Sequence, residues 1–188
     1  AITLDTSVNV GRLGFNYVIT AADASNALTL EDMANNGTVE LNKATNNIDS
    51  VVVEVKDAAA GVADVLNVVL NAEDSGEFAG TLTVASVERI NISADDLDAD
   101  EDLDAATTLA LVANTAKTVA IEGNADLTLN ITSTAVTKVD ASALKGALIY
   151  TADDNAATVG TEVIGGAGND KLTASGDSDI LNGGAGND

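Results

Sequence analysis

The most regular pattern in this sequence lies at its end, where residues 165–173 read GGAGNDKLT, 174–182 read ASGDSDILN and 183–188 read GGAGND. Two identical glycine-rich hexapeptides therefore begin at Gly165 and Gly183, two nonapeptide lengths apart, and a degenerate nonapeptide joins them in phase. Within this frame an aspartate recurs at the same position of the repeat, at Asp170, Asp179 and Asp188. A fixed spacing of this kind argues against a merely flexible glycine-rich tail and indicates a repeating structure.

These units resemble the GGxGxDxUx nonapeptide of the RTX family of bacterial proteins, which folds as a calcium-binding parallel β-roll. The resemblance implies that two nonapeptides make one turn, so that every second loop stacks on the same edge. Asp170 and Asp188 would then hold one Ca²⁺ ion together with glycine and alanine carbonyls of both loops, while Asp179 would lie on the opposite edge. The middle unit departs from the pattern, and Asp177 replaces a glycine there as an additional anionic ligand. The metal-binding residues predicted in this way are Gly165, Gly166, Ala167, Gly168, Asp170, Asp177, Asp179, Gly183, Gly184, Ala185, Gly186 and Asp188.

The chemistry of the ion explains the composition of the repeat. Glycine adopts positive φ without a steric penalty, so six residues can curl into a tight loop with inward-facing carbonyls. Calcium takes six to eight oxygen ligands in a flexible geometry, which carbonyls and carboxylates supply. The apolar residue two positions after each aspartate, such as Leu172, is expected on a short strand that faces the core.

Upstream of these units, short β-branched runs alternate with Asn, Asp, Gly and Ser, which is typical of strands bounded by turns. A pattern of apolar-x-x-apolar-x-apolar-x recurs at 48–54, 87–93, 116–122 and 136–142. The last two copies are 20 residues apart, and the runs at Leu129 and Ile149 keep the same offset. This period predicts an all-β fold, a parallel β-solenoid or β-helix that ends in an RTX β-roll. A sandwich with Val-rich strands is the alternative.

One short helix is expected in this otherwise β-rich chain. Thr29 is a candidate N-cap for a helix near residues 30–36, with Asp32 in its first turn and Gly37 at its end.

Three segments are predicted along the sequence. They are an N-terminal β-rich segment over 1–79, solenoid coils over 80–160 and the start of the RTX roll over 161–188. The sequence begins without Met and stops inside a motif, so we expect it to be a fragment of a longer chain.

Composition excludes several classes of function. The chain has 30 Asp and Glu against 8 Lys and Arg, and its net charge of -22 argues against a nucleic-acid partner. It has no Cys and no His, so it lacks a disulfide scaffold, a thiol nucleophile and the commonest general base, and we expect it not to be an enzyme. No apolar run reaches the roughly 18–20 residues that a membrane span needs. A hydrophobic fraction of 46% also argues against disorder.

A second acidic region, residues 95–104, places aspartates at alternate positions like the start of an EF-hand loop. However, Glu101 stands where that loop needs glycine, and Thr107 stands where it needs glutamate, which excludes an EF-hand. Two interpretations stay open: a solvated acidic turn, and a different calcium site. The residues of that second candidate site are Asp96, Asp98, Asp100 and Asp102.

Residues 87–93 and the Ala/Thr/Asn-rich coils around them resemble the RTX-type surface-layer proteins of Gram-negative bacteria, of the Caulobacter kind. The resemblance implies type I secretion, folding outside the cell in calcium, and calcium-driven self-assembly with neighbouring copies on the bacterial surface. Surface polysaccharide is a further expected partner. Two alternatives are a calcium-stabilised adhesin and the non-catalytic part of a type I-secreted RTX enzyme.

Overall fold

The computed structural model describes residues 2–5, 27–41, 50–58, 63–72, 80–96, 106–152, 160–176 and 178–188. Fifteen strands and no α-helix lie in these ranges. The strands are β1 (Ile2–Asp5), β2 (Ala27–Met33), β3 (Gly37–Leu41), β4 (Ser50–Val55), β5 (Val65–Ala72), β6 (Thr81–Ala85), β7 (Arg89–Asp96), β8 (Ala106–Val112), β9 (Thr118–Gly123), β10 (Asp126–Thr132), β11 (Lys138–Leu144), β12 (Leu148–Thr151), β13 (Glu162–Ile164), β14 (Lys171–Thr173) and β15 (Ile180–Asn182).

The strands form two parallel sheets, and the chain alternates between them. Sheet A has the order β1-β2-β4-β6-β8-β10-β12-β14, and sheet B has the order β15-β13-β11-β9-β7-β5-β3. From β2 onward each strand pairs in parallel with the strand two places further along the chain, so every pair of strands completes one coil. The predicted all-β parallel solenoid is therefore confirmed.

Coil length varies along the stack. It can be read from the residues that pair along one row of sheet B, which are Val65, Arg89, Thr118, Lys138, Glu162 and Ile180. The longest coil in this row runs from Arg89 to Thr118, and the shortest runs from Glu162 to Ile180. The shortest coil is two nonapeptides long, and the coil from Thr118 to Lys138 has the spacing read from the copies at 116–122 and 136–142.

The core lies between the two sheets and consists of aliphatic columns that run across the coils. One column in sheet B contains Leu66, Ile90, Val119, Val139, Val163 and Leu181. Its first five members are fully buried, and each such side chain contributes about 1.5–3 kcal/mol of burial free energy. Leu181 is 39% exposed, because no described coil covers it.

The helix expected near residues 30–36 is wrong, because residues 27–33 form strand β2. Leu28 and Leu30 alternate with polar residues and are buried, which matches the period of a strand rather than that of a helix. Asp32 has a φ of 55°, where the register with β4 shifts, and this irregularity returns Met33 to the core. Asn36, with a φ of 62°, then turns the chain into sheet B.

Two details of the repeat pattern are corrected by the register. The copy at 48–54 contributes to β4 in sheet A, whereas the other three copies contribute to strands of sheet B. Leu129 pairs with Tyr150 rather than with Ile149, because this coil is one residue longer than the coil before it. Ile149 consequently faces outward and is 45% exposed.

The predicted segment boundaries stay predictions, and hydrogen-bonded pairing crosses the first of them where β4 pairs with β6. Within the described ranges, no helix has the length and apolar character to cross a membrane.

Candidate metal centre

The two identical hexapeptides form loops at one edge of the solenoid, where the chain passes from sheet B to sheet A. Loop 165–170 joins β13 to β14, and loop 183–188 follows β15. The second loop stacks on the first: Gly165 N donates to Asn182 O (2.7 Å), and Ala185 N donates to Gly166 O (2.9 Å). The structure therefore brings together the two loops whose residues the RTX resemblance assigns to one ion.

Asp170 is the buried acid of the first loop, with 5% of its surface exposed. Its Oδ1 accepts a hydrogen bond from Leu148 N (2.6 Å), and its Oδ2 accepts one from Gly166 N (2.7 Å). Because Tyr150 pairs with Leu172, Leu148 is the residue in register with Asp170 one coil earlier. The carboxylate therefore caps a free backbone donor of the preceding coil and closes its own loop.

The other two repeat aspartates make the same contact with the coil beneath them. Asp188 Oδ1 accepts from Asp170 N (3.0 Å), and Asp179 Oδ1 accepts from Thr161 N (2.7 Å). Both hydrogen bonds join positions separated by two nonapeptides. Each of these aspartates therefore lies above the backbone donor that it caps, and in these two coils that register equals two nonapeptides.

Asp179 lies at the opposite edge, in the loop from β14 to β15. Partial burial alone would raise the pKa of this carboxyl, but hydrogen bonds from the backbone of Thr161 and Ser175 and from the Ser175 hydroxyl hold its pKa below the ordinary value. Ser175 N and Oγ both donate to Asp179 Oδ2, at 2.6 and 2.8 Å. The middle loop therefore retains a charged acid although Ala174, Ser175 and Asp177 replace the three glycines of the repeat.

Glycine is required in the stacked loops by close approach of their backbones. A Cβ atom on Gly165 would overlap Gly183 O and Asp170 Oδ2, and one on Gly184 would overlap Gly166 O. Gly184 also has a φ of 98°, which side chains rarely tolerate. Carbonyl oxygens and carboxylates consequently crowd the space between the two loops.

This donor set fits calcium. It consists of main-chain carbonyl and carboxylate oxygens, which are the ligands that Ca²⁺ prefers. Neither hexapeptide contains Lys or Arg. The residues that would hold the ion are Asp170 and Asp188 together with main-chain carbonyls of loops 165–170 and 183–188, and calcium would supply positive charge to the two carboxylates.

The remaining candidate residues are placed as follows. Asp177 lies outside the described residues, as do Asp98, Asp100 and Asp102. Asp96 ends β7, and its backbone N–H donates to Asn124 Oδ1 (3.0 Å). In the described ranges no three acidic side chains form a cluster suited to a metal, so the stacked loops depend on main-chain oxygens.

Residues 143–148, which run from the end of β11 to the start of β12, occupy the equivalent position one coil earlier, and the sequence did not reveal this. Ala167 N donates to Leu144 O (2.9 Å), just as Ala185 N donates to Gly166 O. A Cβ on Gly168 would overlap Gly146 O, so glycine recurs at this position too. Leu148 stands in place of the repeat aspartate, and Gly146 alone was too weak a signal.

Comparison with known families agrees with this geometry. Residues 162–188 match the RTX calcium-binding nonapeptide repeat (4 copies). Neither the search of curated proteins nor that of solved structures found a match. The C-terminal segment is therefore composed of RTX calcium-binding repeats, which are typical of secreted extracellular proteins, and its cofactor is Ca²⁺.

Proposed function

We propose that this chain is a segment of a calcium-dependent structural protein of the bacterial cell surface, exported by the type I pathway and without catalytic activity of its own. It assembles with neighbouring copies as surface-layer proteins do. The observation that carries the proposal is the stack of parallel coils from β2 to β15, which ends in loops that fit calcium.

The charge of the chain supports dependence on calcium. At a net charge of -22, the protein repels itself when no cation is bound, and this repulsion favours expanded states. Because calcium binds the stacked loops and not the unfolded chain, the free energy of binding adds to the free energy of folding. Export in an unfolded form and folding outside the cell follow from such a dependence.

The outer face of sheet A supports self-association. One outward row across this sheet is uncharged and consists of Thr29, Val52, Thr83, Val112 and Thr132. A neighbouring row is also uncharged and consists of Ser50, Thr81, Ala110, Asn130, Thr151 and Thr173. Sheet B instead presents charged groups such as Arg89, Glu122 and Asp140. Sheet A carries Glu54 and Lys171 outside these rows, so two copies of this acidic chain meet with least repulsion through the two uncharged rows.

Calcium titration of the chelated chain tests the proposal. We expect a gain of β signal in circular dichroism, followed by a rise in light scattering and ordered sheets in electron micrographs, all reversed by chelator. A β signal that is identical in calcium and chelator would exclude metal-driven folding of the roll. Ordered monomers that never assemble at millimolar calcium would exclude the surface-layer function alone.

Charged substitutions separate assembly from folding. Thr83→Asp places a carboxylate in the uncharged row of sheet A and should abolish assembly while the calcium-induced β signal is retained. Ala143→Asp adds the same charge at an exposed position of sheet B and serves as the matched control. Equal assembly by both variants would show that sheet A is not the contact face.

An adhesin is the second candidate, and one observation favours it. A groove of about 430 Å³ crosses the outer face of sheet B, where Ala120 leaves space between longer side chains. Its lining includes Asn67, Arg89, Asn91 and Asp140, which offer hydrogen-bonding groups to a polysaccharide. Binding of monomers to surface polysaccharide that is lost in Asn91→Ala, with no sheet formation, would favour this function.

A further inference from the structure

The residues that directly precede the strands of sheet B form a single column at the edge where the chain passes from sheet A to sheet B. The register of the sheet brings them into line: Asp64, Glu88, Lys117, Thr137, Thr161 and Asp179. Asn35 continues the column below Asp64, because Gly37 pairs with Leu66. The upstream end of the column therefore carries side-chain oxygens in three consecutive coils, from Asn35, Asp64 and Glu88. At the other end of the column, Asp179 supplies the side-chain oxygens of the RTX repeat.

Glu88 makes the contact that characterises the repeat aspartates. Its Oε2 accepts from Asp64 N (2.8 Å), which is the backbone donor in register one coil earlier. Asp179 accepts from Thr161 N in the same way, at 2.7 Å. From the other side, Asn35 Oδ1 accepts from Val65 N (2.9 Å). Glu88 and Asn35 therefore both approach the backbone at Asp64 and Val65.

Asp64 is the unusual member of this group. Only 6% of its surface is exposed, and its Oδ2 is buried without a hydrogen bond from any described residue. Among the described residues, Lys138 provides the cation of every ion pair. No Lys or Arg in those ranges therefore lies within ion-pair distance of Asp64 or Glu88, and the nearest in the column is Lys117, one coil after Glu88. A buried carboxylate that lacks both a donor and a counter-charge is strongly destabilising, the more so beside a second acid.

We propose that Asp64 and Glu88 form a second site for a divalent cation of the calcium type, outside the RTX repeats. Two carboxylates provide hard oxygen ligands, and water or main-chain oxygens complete the shell. A bound cation removes the repulsion between Asp64 and Glu88 and gives Asp64 Oδ2 a partner. It also links two coils that the RTX loops do not reach. The proposal rests on these two residues and not on assembly at a cell surface.

Counting the ions bound to the full chain tests the site. Equilibrium dialysis against calcium, followed by elemental analysis, gives the number bound per chain for the wild type and for Asp64→Asn and Glu88→Gln. Each of these two variants should bind one ion fewer. Glu122→Gln, which removes an exposed carboxylate of sheet B, is the matched control and should bind the full number.

A double variant distinguishes this site from the RTX loops. Asp170→Asn combined with Asp188→Asn should lose the ion between those loops and keep the ion at Asp64, so failure of either site is seen independently. In chelator, Asp64→Asn should melt at a temperature equal to or above that of the wild type, because it removes an unpaired buried charge. Calcium should then raise its melting temperature less than it raises that of the wild type.

Two results would overturn the proposal. One is an unchanged number of bound ions in both Asp64→Asn and Glu88→Gln. The other is an equal rise in melting temperature with calcium for the wild type and Asp64→Asn. Should Asp64→Asn fail to fold, Glu88→Gln decides by the same count, since its amide oxygen still accepts from Asp64 N.

Discussion

The coils over residues 80–152 and the last coils over 160–188 share one stacking geometry but are stabilised differently. Upstream, the long strand β7 buries Ile90, Ile92 and Ala94. The last two strands, β14 and β15, have three residues each and no fully buried side chain. Their loops instead carry carboxylates that cap the coil beneath.

This difference shows how one fold depends on two sources of free energy. A long strand contributes several buried aliphatic side chains, each worth about 1.5–3 kcal/mol. A coil of two nonapeptides has room for only one inward residue per strand, so hydrogen-bonded acids and a bound ion must supply the remainder. We therefore expect the upstream coils to be ordered in chelator and the last coils to require calcium.

The largest expected effect comes from shortening the same core column in each region. Ile90→Ala should lower the free energy of unfolding by about 2–5 kcal/mol, in chelator and calcium alike, because it leaves a cavity in a fully buried site. Leu181→Ala, in the same column but 39% exposed, should cost less than about 1 kcal/mol. Urea unfolding of both variants measures the contrast, and equal losses would contradict it.

Removing the buried carboxylate of the repeat should affect the last coils first. Asp170→Ala deprives Leu148 N and Gly166 N of their acceptor, at about 1–3 kcal/mol for each donor. Hydrogen exchange in calcium should show faster exchange at these amides and across 160–188, with little change in β2 to β7. The control is Thr173→Ala, at an exposed position of β14. Uniform loss of protection along the whole chain would argue against separate stabilisation of the two regions.

Spacing between coils can be tested at Gly168. A methyl group there would overlap Gly146 O, so Gly168→Ala must push two coils apart, at about 1–3 kcal/mol. We expect weaker calcium affinity, measured by isothermal titration calorimetry, because loop 165–170 is displaced and its carbonyls move with it. Ala167→Gly, which adds no atoms, serves as the control, and unchanged affinity in Gly168→Ala would show that the loops tolerate a wider spacing.

The smallest expected effect is a pH dependence on the outer face of sheet B. A hydrogen bond from the Ser142 hydroxyl, assisted by the Ser142 backbone N–H and by Lys138, holds the pKa of Asp140 below its ordinary value. Its ionised form therefore stabilises the fold above the unfolded-state pKa, and this contribution is lost as pH falls through the lower folded-state pKa.

The variant Asp140→Asn tests the direction of this pH dependence. It should lower stability at neutral pH by well under about 1 kcal/mol, since the carboxylate is partly exposed, and the difference should vanish in acid. Thermal unfolding of the wild type and the variant from pH 7 to 2 in chelator measures the difference in stability at neutral pH and in acid. A difference in stability that grows in acid would contradict a lowered pKa of Asp140 in the folded protein.

The sequence predicted those parts of the fold that local spacing determines. Identical hexapeptides two nonapeptides apart indicated stacked loops, and evenly spaced copies at 116–122 and 136–142 indicated parallel coils. It did not predict β2, because a plausible N-cap at Thr29 competed with pairing to strands distant in the chain. Nor did it reveal the column of Asp64 and Glu88, because the unequal lengths of the upstream coils hide the register until the sheets are formed.

Unequal coil lengths have a mechanical consequence. A solenoid pulled from its ends yields one coil at a time, since each coil is held only by its neighbours. With at most about 3.5 Å of extension per residue, release of the coil from Glu162 to Ile180 would lengthen the chain by about 6 nm, and release of the coil from Arg89 to Thr118 by about 10 nm. The order of these steps in a single-molecule force trace would therefore identify which coil unfolds first. Repeating the measurement with and without calcium would show whether the ion changes that order.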